Sequence, residues 1–117
     1  MLQELYTARG ENLQGTPWQV YPRPQMKRDS YLNLNGWWDL EVYGGPMVLP
    51  LQYTQKIRVP FCPESILSGV NTHFPEGANL FYCRRFSLPE GFRKDRVLLH
   101  FGAVDQSCRV LVNDMEV

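Results

Sequence analysis

The sequence lacks both an excess of charge and a long apolar run. Its 12 Lys and Arg residues balance its 12 Asp and Glu residues, and neither sign forms an extended run. Nucleic acids and anionic membranes attract basic surfaces, so we expect this chain to bind neither. No stretch approaches the roughly 18 consecutive apolar residues of a membrane span, and residues 1–5 lack the features of an export signal. We therefore expect a cytoplasmic protein.

Cysteine and histidine are scarce. The odd number and wide spacing of Cys62, Cys83 and Cys108 argue against a disulfide framework and against a Cys-x-x-Cys metal site. Free cysteines are usually buried, which predicts that these thiols pack as small apolar groups. His73 and His100 have no Asp, Glu or Cys at metal-ligand spacing, and no glycine-rich phosphate loop is present. We predict no metal and no cofactor.

The 117 residues have room for one domain, preceded by an arm. Residues 1–30 show no clean periodicity, and their prolines disfavour regular structure. Trp18 and Tyr21 predict that this arm packs against the rest of the protein rather than remaining free. Residues 31–117 then form the domain itself.

Alternating apolar and polar residues predict a β domain. Around position 40 one face carries Trp38, Leu40 and Val42, and the run ends at Gly44-Gly45-Pro46. Further strands are predicted at residues 56–59, 80–88, 96–104 and 107–112, with the nearly apolar run at 97–101 in a central position. Residues 60–77 form a long loop with one helical turn at 64–67, and such loops are often functional.

The chain ends in a predicted β-hairpin. Residues 108–112 alternate, Asn113-Asp114 suits the turn, and residues 115–117 begin a returning strand. Five strands with hardly any helix favour an all-β fold, an antiparallel β-sandwich. Because the returning strand is so short, we expect the chain to be the front part of a larger sandwich.

Five segments, in this order and spacing, resemble the N-terminal sugar-binding domain of glycoside hydrolase family 2, which includes β-galactosidases and β-glucuronidases. They are Leu-Asn-Gly-Trp-Trp at 34–38, Val-Pro-Phe-Cys-Pro-Glu-Ser at 59–65, Tyr-Cys-Arg-Arg-Phe at 82–86, Leu-His-Phe-Gly-Ala-Val-Asp at 99–105 and Val-Leu-Val-Asn at 110–113. The resemblance implies a galactose-binding-domain-like jelly roll, here incomplete. It also implies that an immunoglobulin-like domain and a (β/α)₈ barrel carrying the catalytic carboxylates follow in the whole enzyme.

The same resemblance singles out Asn71 as a substrate-binding residue. In the β-galactosidases an Asn four residues before a Pro, with an aromatic residue just before that Pro, contacts sugar hydroxyls, and Asn71-Thr72-His73-Phe74-Pro75 has this spacing. The preceding Gly69-Val70 departs from the family's usual Tyr-Thr-Asn context. Asn71 is therefore either a ligand contact or a residue that serves to form a turn.

No carboxylate here lies in a motif that matches the family's catalytic pair, so no catalytic residue is assigned. Glu64, in the long loop, is read as a helix-capping or solvated carboxylate. The chain is expected to act as a non-catalytic part of an enzyme, with carbohydrate and the enzyme's other domains as partners. Two alternatives stay open: a stand-alone carbohydrate-binding module, and a structural domain that forms a homodimer through an exposed sheet edge.

Overall fold

A three-stranded antiparallel sheet forms the centre of the protein. The structure is a computed structural model and describes residues 2–117. Strand β1 (Gly36–Gly44) lies between β2 (Gln55–Val59) and β3 (Ala78–Cys83), and a separate hairpin joins β4 (Leu111–Val112) to β5 (Met115–Glu116). Within the described residues, helical structure is limited to α1 (Ala8–Glu11) and two 3-10 turns, Pro24–Met26 and Ile66–Ser68. The fold is therefore small, β-rich and antiparallel.

The core lies on β1 and its two neighbours. Leu40 on β1 and Ile57 on β2 are fully buried, on the face that the alternation predicted to point inward. The opposite face carries Phe81 of β3, which is buried against a stacked Tyr43 ring at a centroid distance of 4.7 Å. Each face of this short sheet thus carries at least one buried apolar side chain.

Gly36 begins β1 in a conformation that suits glycine. Its φ of +124° is disfavoured for other residues, and an added Cβ would lie 3.2 Å from the Arg84 guanidinium. Arg84 donates from Nη1 to the carbonyls of Leu34 and Asn35 at 2.5 and 2.8 Å. Arg84, the residue directly after β3, thereby holds the segment that leads into β1.

The hairpin at the end of the chain is confirmed. Asn113 and Asp114 both have positive φ, 51° and 64°, as the favoured two-residue hairpin turns require. Arg109 Nη2 and Glu116 Oε2 pair across the hairpin at 2.6 Å. Its strands are only two residues each, so the predicted strand at 107–112 is mostly wrong.

The predicted strand at 96–104 is wrong. These residues form no strand, and the apolar side chains Val97, Leu98 and Phe101 are 48%, 60% and 49% exposed rather than central. His100 is exposed and not part of a sheet. The strand predicted at 80–88 is also shorter, because its ladder with β1 ends at Cys83. A strand forms only where a partner supplies hydrogen bonds, and residues 84–109 have no such neighbour among residues 2–117.

The arm packs on the domain as predicted. Pro17 is buried, the Trp18 ring lies 5.6 Å from the Phe61 ring, and Asn33 Nδ2 donates to Trp18 O at 2.6 Å. The short helix α1, which the sequence analysis did not predict, begins where Thr7 Oγ1 accepts from Gly10 N at 3.1 Å. In residues 2–117 no helix combines the length and the apolar character needed to cross a membrane.

The prediction of buried thiols is wrong for two of the three cysteines. Cys62 and Cys108 are exposed, and only Cys83 is partly buried. Cys62 lies in the loop after β2, and Cys108 belongs to the segment that has no sheet to pack on. Both thiols are exposed for the same reason, which is that little of the chain packs over them.

Candidate functional site

The loop at residues 60–77 connects β2 to β3 and is closed by its own hydrogen bonds. Thr72 N donates to Pro63 O at 3.0 Å, which brings the two arms of the loop together. Between them the 3-10 turn Ile66–Ser68 is capped by Ser65, whose hydroxyl accepts from Leu67 N at 3.2 Å. The helical turn predicted at 64–67 is therefore present, shifted by two residues.

Ser68 organises the interior of this loop. It is fully buried, and its hydroxyl lies 2.6 Å from Ser65 O and 3.2 Å from Pro63 O. The same oxygen accepts from Val70 N at 3.0 Å. A single hydroxyl thus joins the 3-10 turn to the segment that follows it. The loop has a defined shape because its buried polar groups satisfy one another.

Asn71 follows directly and occupies the left-handed region, with a φ of 49°. Its backbone N lies 3.5 Å from the Ser68 hydroxyl, at the limit of a hydrogen bond. The side-chain oxygen Oδ1 is buried and has no hydrogen-bond partner among the described residues. The backbone conformation fits the interpretation of a turn residue, whereas the unsatisfied acceptor is a group that a ligand hydroxyl could complete.

A second group of polar side chains lies on the same loop. His73 Nδ1 is 3.3 Å from Glu64 Oε1, and both side chains are largely exposed. Burial raises the pKa of the nearby Tyr82 phenol, and the negative charges of Cys62 and Glu64 raise it further. Tyr82 is therefore a protonated phenol at neutral pH and can donate a hydrogen bond.

On the other side of the loop, Arg58 stacks on Trp37. The guanidinium carbon lies 4.6 Å from the ring centroid, and Arg58 Nε is buried without a partner in residues 2–117. Gly69, with a φ of +81°, contacts the same ring so closely that an added Cβ would lie 2.9 Å from Trp37 Cη2. Arg58 and Gly69 also line an open cleft of about 500 Å³ against α1, together with Tyr6, Glu11, Ile66 and Leu67.

Two carboxyl groups in residues 2–117 have lowered pKa values. Glu41 accepts hydrogen bonds from Thr54 Oγ1, Val42 N and Thr54 N, which lower its pKa, and Arg109 lowers the pKa of Glu116. A catalytic acid needs the opposite shift. No group of three or more His, Cys, Asp or Glu side chains in residues 2–117 is placed to hold a metal ion.

Comparison with known proteins gives no assignment. No protein-family model matches the chain, and no curated protein matches it.

Sequence reasoning selected Asn71 and Glu64 but missed Ser68 and Arg58. The Ser-Gly pair at 68–69 after an apolar dipeptide is a signal for a helical turn that ends in a left-handed glycine, and it could have located Ser68. No local pattern indicates that Arg58 stacks on Trp37, because the two residues meet only through the pairing of β1 and β2. Trp37 itself is 48% exposed although it stacks on that arginine.

Proposed function

We propose that the chain is the N-terminal scaffold and pocket-shaping domain of a family 2 glycoside hydrolase acting on β-galactosides or β-glucuronides. In this proposal its sheets belong to an incomplete jelly-roll sandwich, and its loop at residues 60–77 contributes to the sugar pocket of the whole enzyme. The chain itself carries no catalytic residue. Its partners are the enzyme's remaining domains and, through them, carbohydrate.

Three of the five motifs occupy positions that support this proposal, whereas the fourth lies in the segment that forms no strand. The first contains the start of β1, and the second runs from the end of β2 into the loop. The third covers the end of β3, and the fifth covers β4 with its turn. Three of the five therefore lie on or beside the central sheet, where they position the loop between β2 and β3.

The observation that carries the proposal is the unpartnered Oδ1 of Asn71. A buried acceptor without a hydrogen bond costs free energy, on the order of 1–3 kcal/mol, which a ligand hydroxyl would recover once the enclosed amide turns toward it. An amide also supplies donors, so one Asn can contact two neighbouring sugar hydroxyls and distinguish epimers. The Ser68 hydroxyl lies 3.0 Å from Val70 N and 3.5 Å from Asn71 N, which fixes the backbone that carries this side chain.

The carboxylates of this chain support a non-catalytic role. Retaining hydrolysis needs two carboxyl groups about 5 Å apart, one of them with a raised pKa. The two carboxyls with a clear pKa shift, Glu41 and Glu116, are shifted downward by hydrogen bonds, and Glu64 is exposed beside His73. The proposal therefore assigns hydrolysis to another domain.

The purified 117-residue chain provides the first test. We expect no turnover of nitrophenyl β-galactoside or nitrophenyl β-glucuronide, and no heat of binding when methyl glycosides are titrated into the chain. Turnover by the chain that is free of contaminant and survives Asn71→Ala would contradict the proposal. Calorimetric binding would instead favour the second candidate function.

That second candidate is a stand-alone carbohydrate-binding module. It is favoured by the cleft between α1 and the loop, whose volume of about 500 Å³ is within the range of small-molecule sites. The half-exposed Trp37 ring stacks on Arg58, which lines this cleft, and aromatic rings with nearby polar groups are suited to binding sugars. If the chain is such a module, methyl glycosides give a heat of binding and Arg58→Gln abolishes it. If the chain is a scaffold domain, neither the parent chain nor Arg58→Gln gives a heat of binding.

A further inference from the structure

Arg58 is a half-buried cation without a counter-charge in residues 2–117. The ion pairs of these residues join Lys56, His73 and Arg109 to carboxylates, and none of them includes Arg58. Its Nε is enclosed without a partner, whereas Nη1 and Nη2 remain accessible. A cation that has lost part of its hydration without gaining an anion is unfavourable. The outer edge of this guanidinium therefore offers two free donors to an anion.

Trp37 holds the guanidinium in place. The two residues lie directly opposite each other in the pairing of β1 and β2, and Arg58 Cζ is 4.6 Å from the ring centroid. The loop covers another part of the same ring, where an added Cβ at Gly69 would lie 2.9 Å from Trp37 Cη2. A cation that is already oriented loses less conformational entropy when a ligand binds. Arg58 is therefore positioned for an anion before the anion arrives.

The helix α1 and the loop at residues 60–77 form two walls of the cleft beside Arg58. The cleft volume of about 500 Å³ is within the range of small-molecule sites. The walls pack closely on each other, since an added Cβ at Gly10 of α1 would lie 3.2 Å from Leu67 Cδ1. Because both walls belong to this chain, a small molecule can lie between them without a contribution from a partner.

The rest of the lining selects the kind of anion. Leu13, Ile66 and Leu67 supply apolar surface, and Glu11 supplies one negative charge. One cation beside one carboxylate disfavours a phosphate group, whose charge is about −1.5 to −2 at neutral pH. A carboxylate carries a single charge, and its two oxygens match the planar edge of a guanidinium. The lining therefore favours a singly charged, planar anion on an apolar body.

We propose that the cleft between α1 and the loop binds a small organic monocarboxylate. The carboxylate accepts two parallel hydrogen bonds from Nη1 and Nη2 of Arg58, and the apolar body of the ligand packs on Leu13, Ile66 and Leu67. Arg58 thereby gains the counter-charge that residues 2–117 do not supply. This proposal concerns the chain itself and does not depend on the proposed glycosidase function.

The first experiment compares two probes of the same shape, benzoate and its neutral analogue benzamide. Each is titrated into the ¹⁵N-labelled chain at pH 7 while the arginine Nε–H signals are followed by NMR. We expect benzoate to shift the Arg58 signal saturably, with a dissociation constant of about 1 mM. Benzamide should bind at least about tenfold more weakly, because it lacks the charge that strengthens the hydrogen bonds.

The second experiment repeats the benzoate titration, followed by calorimetry, on four variants. Arg58→Gln should raise the dissociation constant at least about tenfold, and Arg58→Lys should raise it too, since an ammonium keeps the charge but loses the two-point geometry. Glu11→Gln should lower the constant, because it removes a like charge from the cleft. Arg9→Gln is the matched control: it removes an exposed charge from α1 outside the cleft lining and should leave the constant unchanged.

Four results would overturn the proposal. They are the absence of a saturable shift with benzoate, equal binding of benzoate and benzamide, equal weakening by Arg58→Gln and Arg9→Gln, and binding by the 117-residue chain that the full-length gene product lacks. The last result would show that another part of the protein occupies the cleft. Circular dichroism checks that each variant is folded, and Glu11→Gln tests the site with Arg58 in place. No glycoside is present in these titrations, so failure here leaves the glycosidase proposal untouched.

Discussion

At the scale of single residues, Asn71 combines a left-handed backbone with an unsatisfied side-chain acceptor. Asn is among the few residue types that adopt positive φ at low cost, so the conformation alone does not require a ligand. The unsatisfied Oδ1 needs a further explanation, because the side chain of a simple turn residue usually forms a local hydrogen bond. The two interpretations, turn residue and ligand contact, can be distinguished by substitutions that change the backbone preference and the amide separately.

Substitution of Asn71 distinguishes the two contributions. Asn71→Gly keeps the positive φ accessible and removes the unsatisfied oxygen, so we expect the free energy of unfolding to stay the same or rise. Asn71→Ala removes the same oxygen but is strained at this φ, so we expect it to be about 1 kcal/mol less stable than Asn71→Gly. Urea unfolding followed by tryptophan fluorescence measures both. A large loss with Asn71→Gly would show that the amide stabilises the fold and is not free for a ligand.

Gly69 is required for a different reason, its contact with Trp37. Gly69→Ala brings a Cβ within 2.9 Å of the ring at a φ of +81°, so we expect a loss of about 2 kcal/mol and a shift in tryptophan emission. Gly77→Ala is the matched control: its φ is +82° but nothing lies within 4 Å, so only the backbone cost, about 1 kcal/mol, should remain. Equal losses for the two variants would contradict the close packing against Trp37.

At the scale of elements, Glu41 links β1 to the start of β2. Its Oε2 accepts from Thr54 N at 2.9 Å and from Thr54 Oγ1 at 2.8 Å, and these bonds lower the pKa of the carboxyl below its ordinary value of 4.5. A carboxyl with a lowered pKa in the folded state stabilises the fold above the unfolded value and loses that contribution as the pH falls through the folded pKa.

Glu41→Gln is therefore expected to lower the free energy of unfolding at pH 7 and to have a smaller effect in acid, once the pH has fallen through the lowered pKa of the folded state. Urea unfolding at the two pH values measures the difference. Glu4→Gln is the control, since Glu4 is exposed in the arm that precedes α1. The account fails if Glu41→Gln costs as much in acid as at neutral pH, because the effect would then be steric.

Sequence reasoning located the elements whose stabilising contacts are close in the chain. The alternation around Leu40 predicted β1 and its buried face, and Asn113-Asp114 predicted the hairpin turn, because each pattern reflects local geometry. Residues 96–104 have an equally good strand pattern, yet form no strand. Alternation of apolar and polar residues shows that a segment can form a strand. Whether it does so depends on a neighbouring strand, which residues 2–117 do not supply for this segment.

In the candidate site, too, sequence reasoning found only the residue that a local pattern marks. Asn71 stands in a recognisable spacing, and the left-handed conformation is one that Asn favours. Ser68 and the stacking of Arg58 on Trp37 depend on how the loop folds back over the sheet, which no local pattern records. The exposed thiols of Cys62 and Cys108 were mispredicted because burial was inferred from residue type alone.

At the scale of the whole molecule, the chain exposes far more surface than its mass requires. The accessible surface is 9949 Å², against about 6,600 Å² for a compact monomer of this mass. The radius of gyration is 16.0 Å, against about 13 Å for a compact domain of this length. Part of this excess comes from Val97, Leu98 and Phe101, which are 48%, 60% and 49% exposed.

The most direct test of the proposed function is the kcat/KM of the full-length gene product on nitrophenyl β-galactoside and nitrophenyl β-glucuronide, comparing Asn71→Gly with Asn12→Gly. Asn12 carries an exposed amide bonded to Ala8 O at 2.8 Å and serves as the control. We predict a fall of about tenfold or more for Asn71→Gly, from the loss of a hydrogen bond to the sugar, and no change for Asn12→Gly. Equal values for the two variants, or no hydrolysis of either glycoside by the unsubstituted product, would contradict the account.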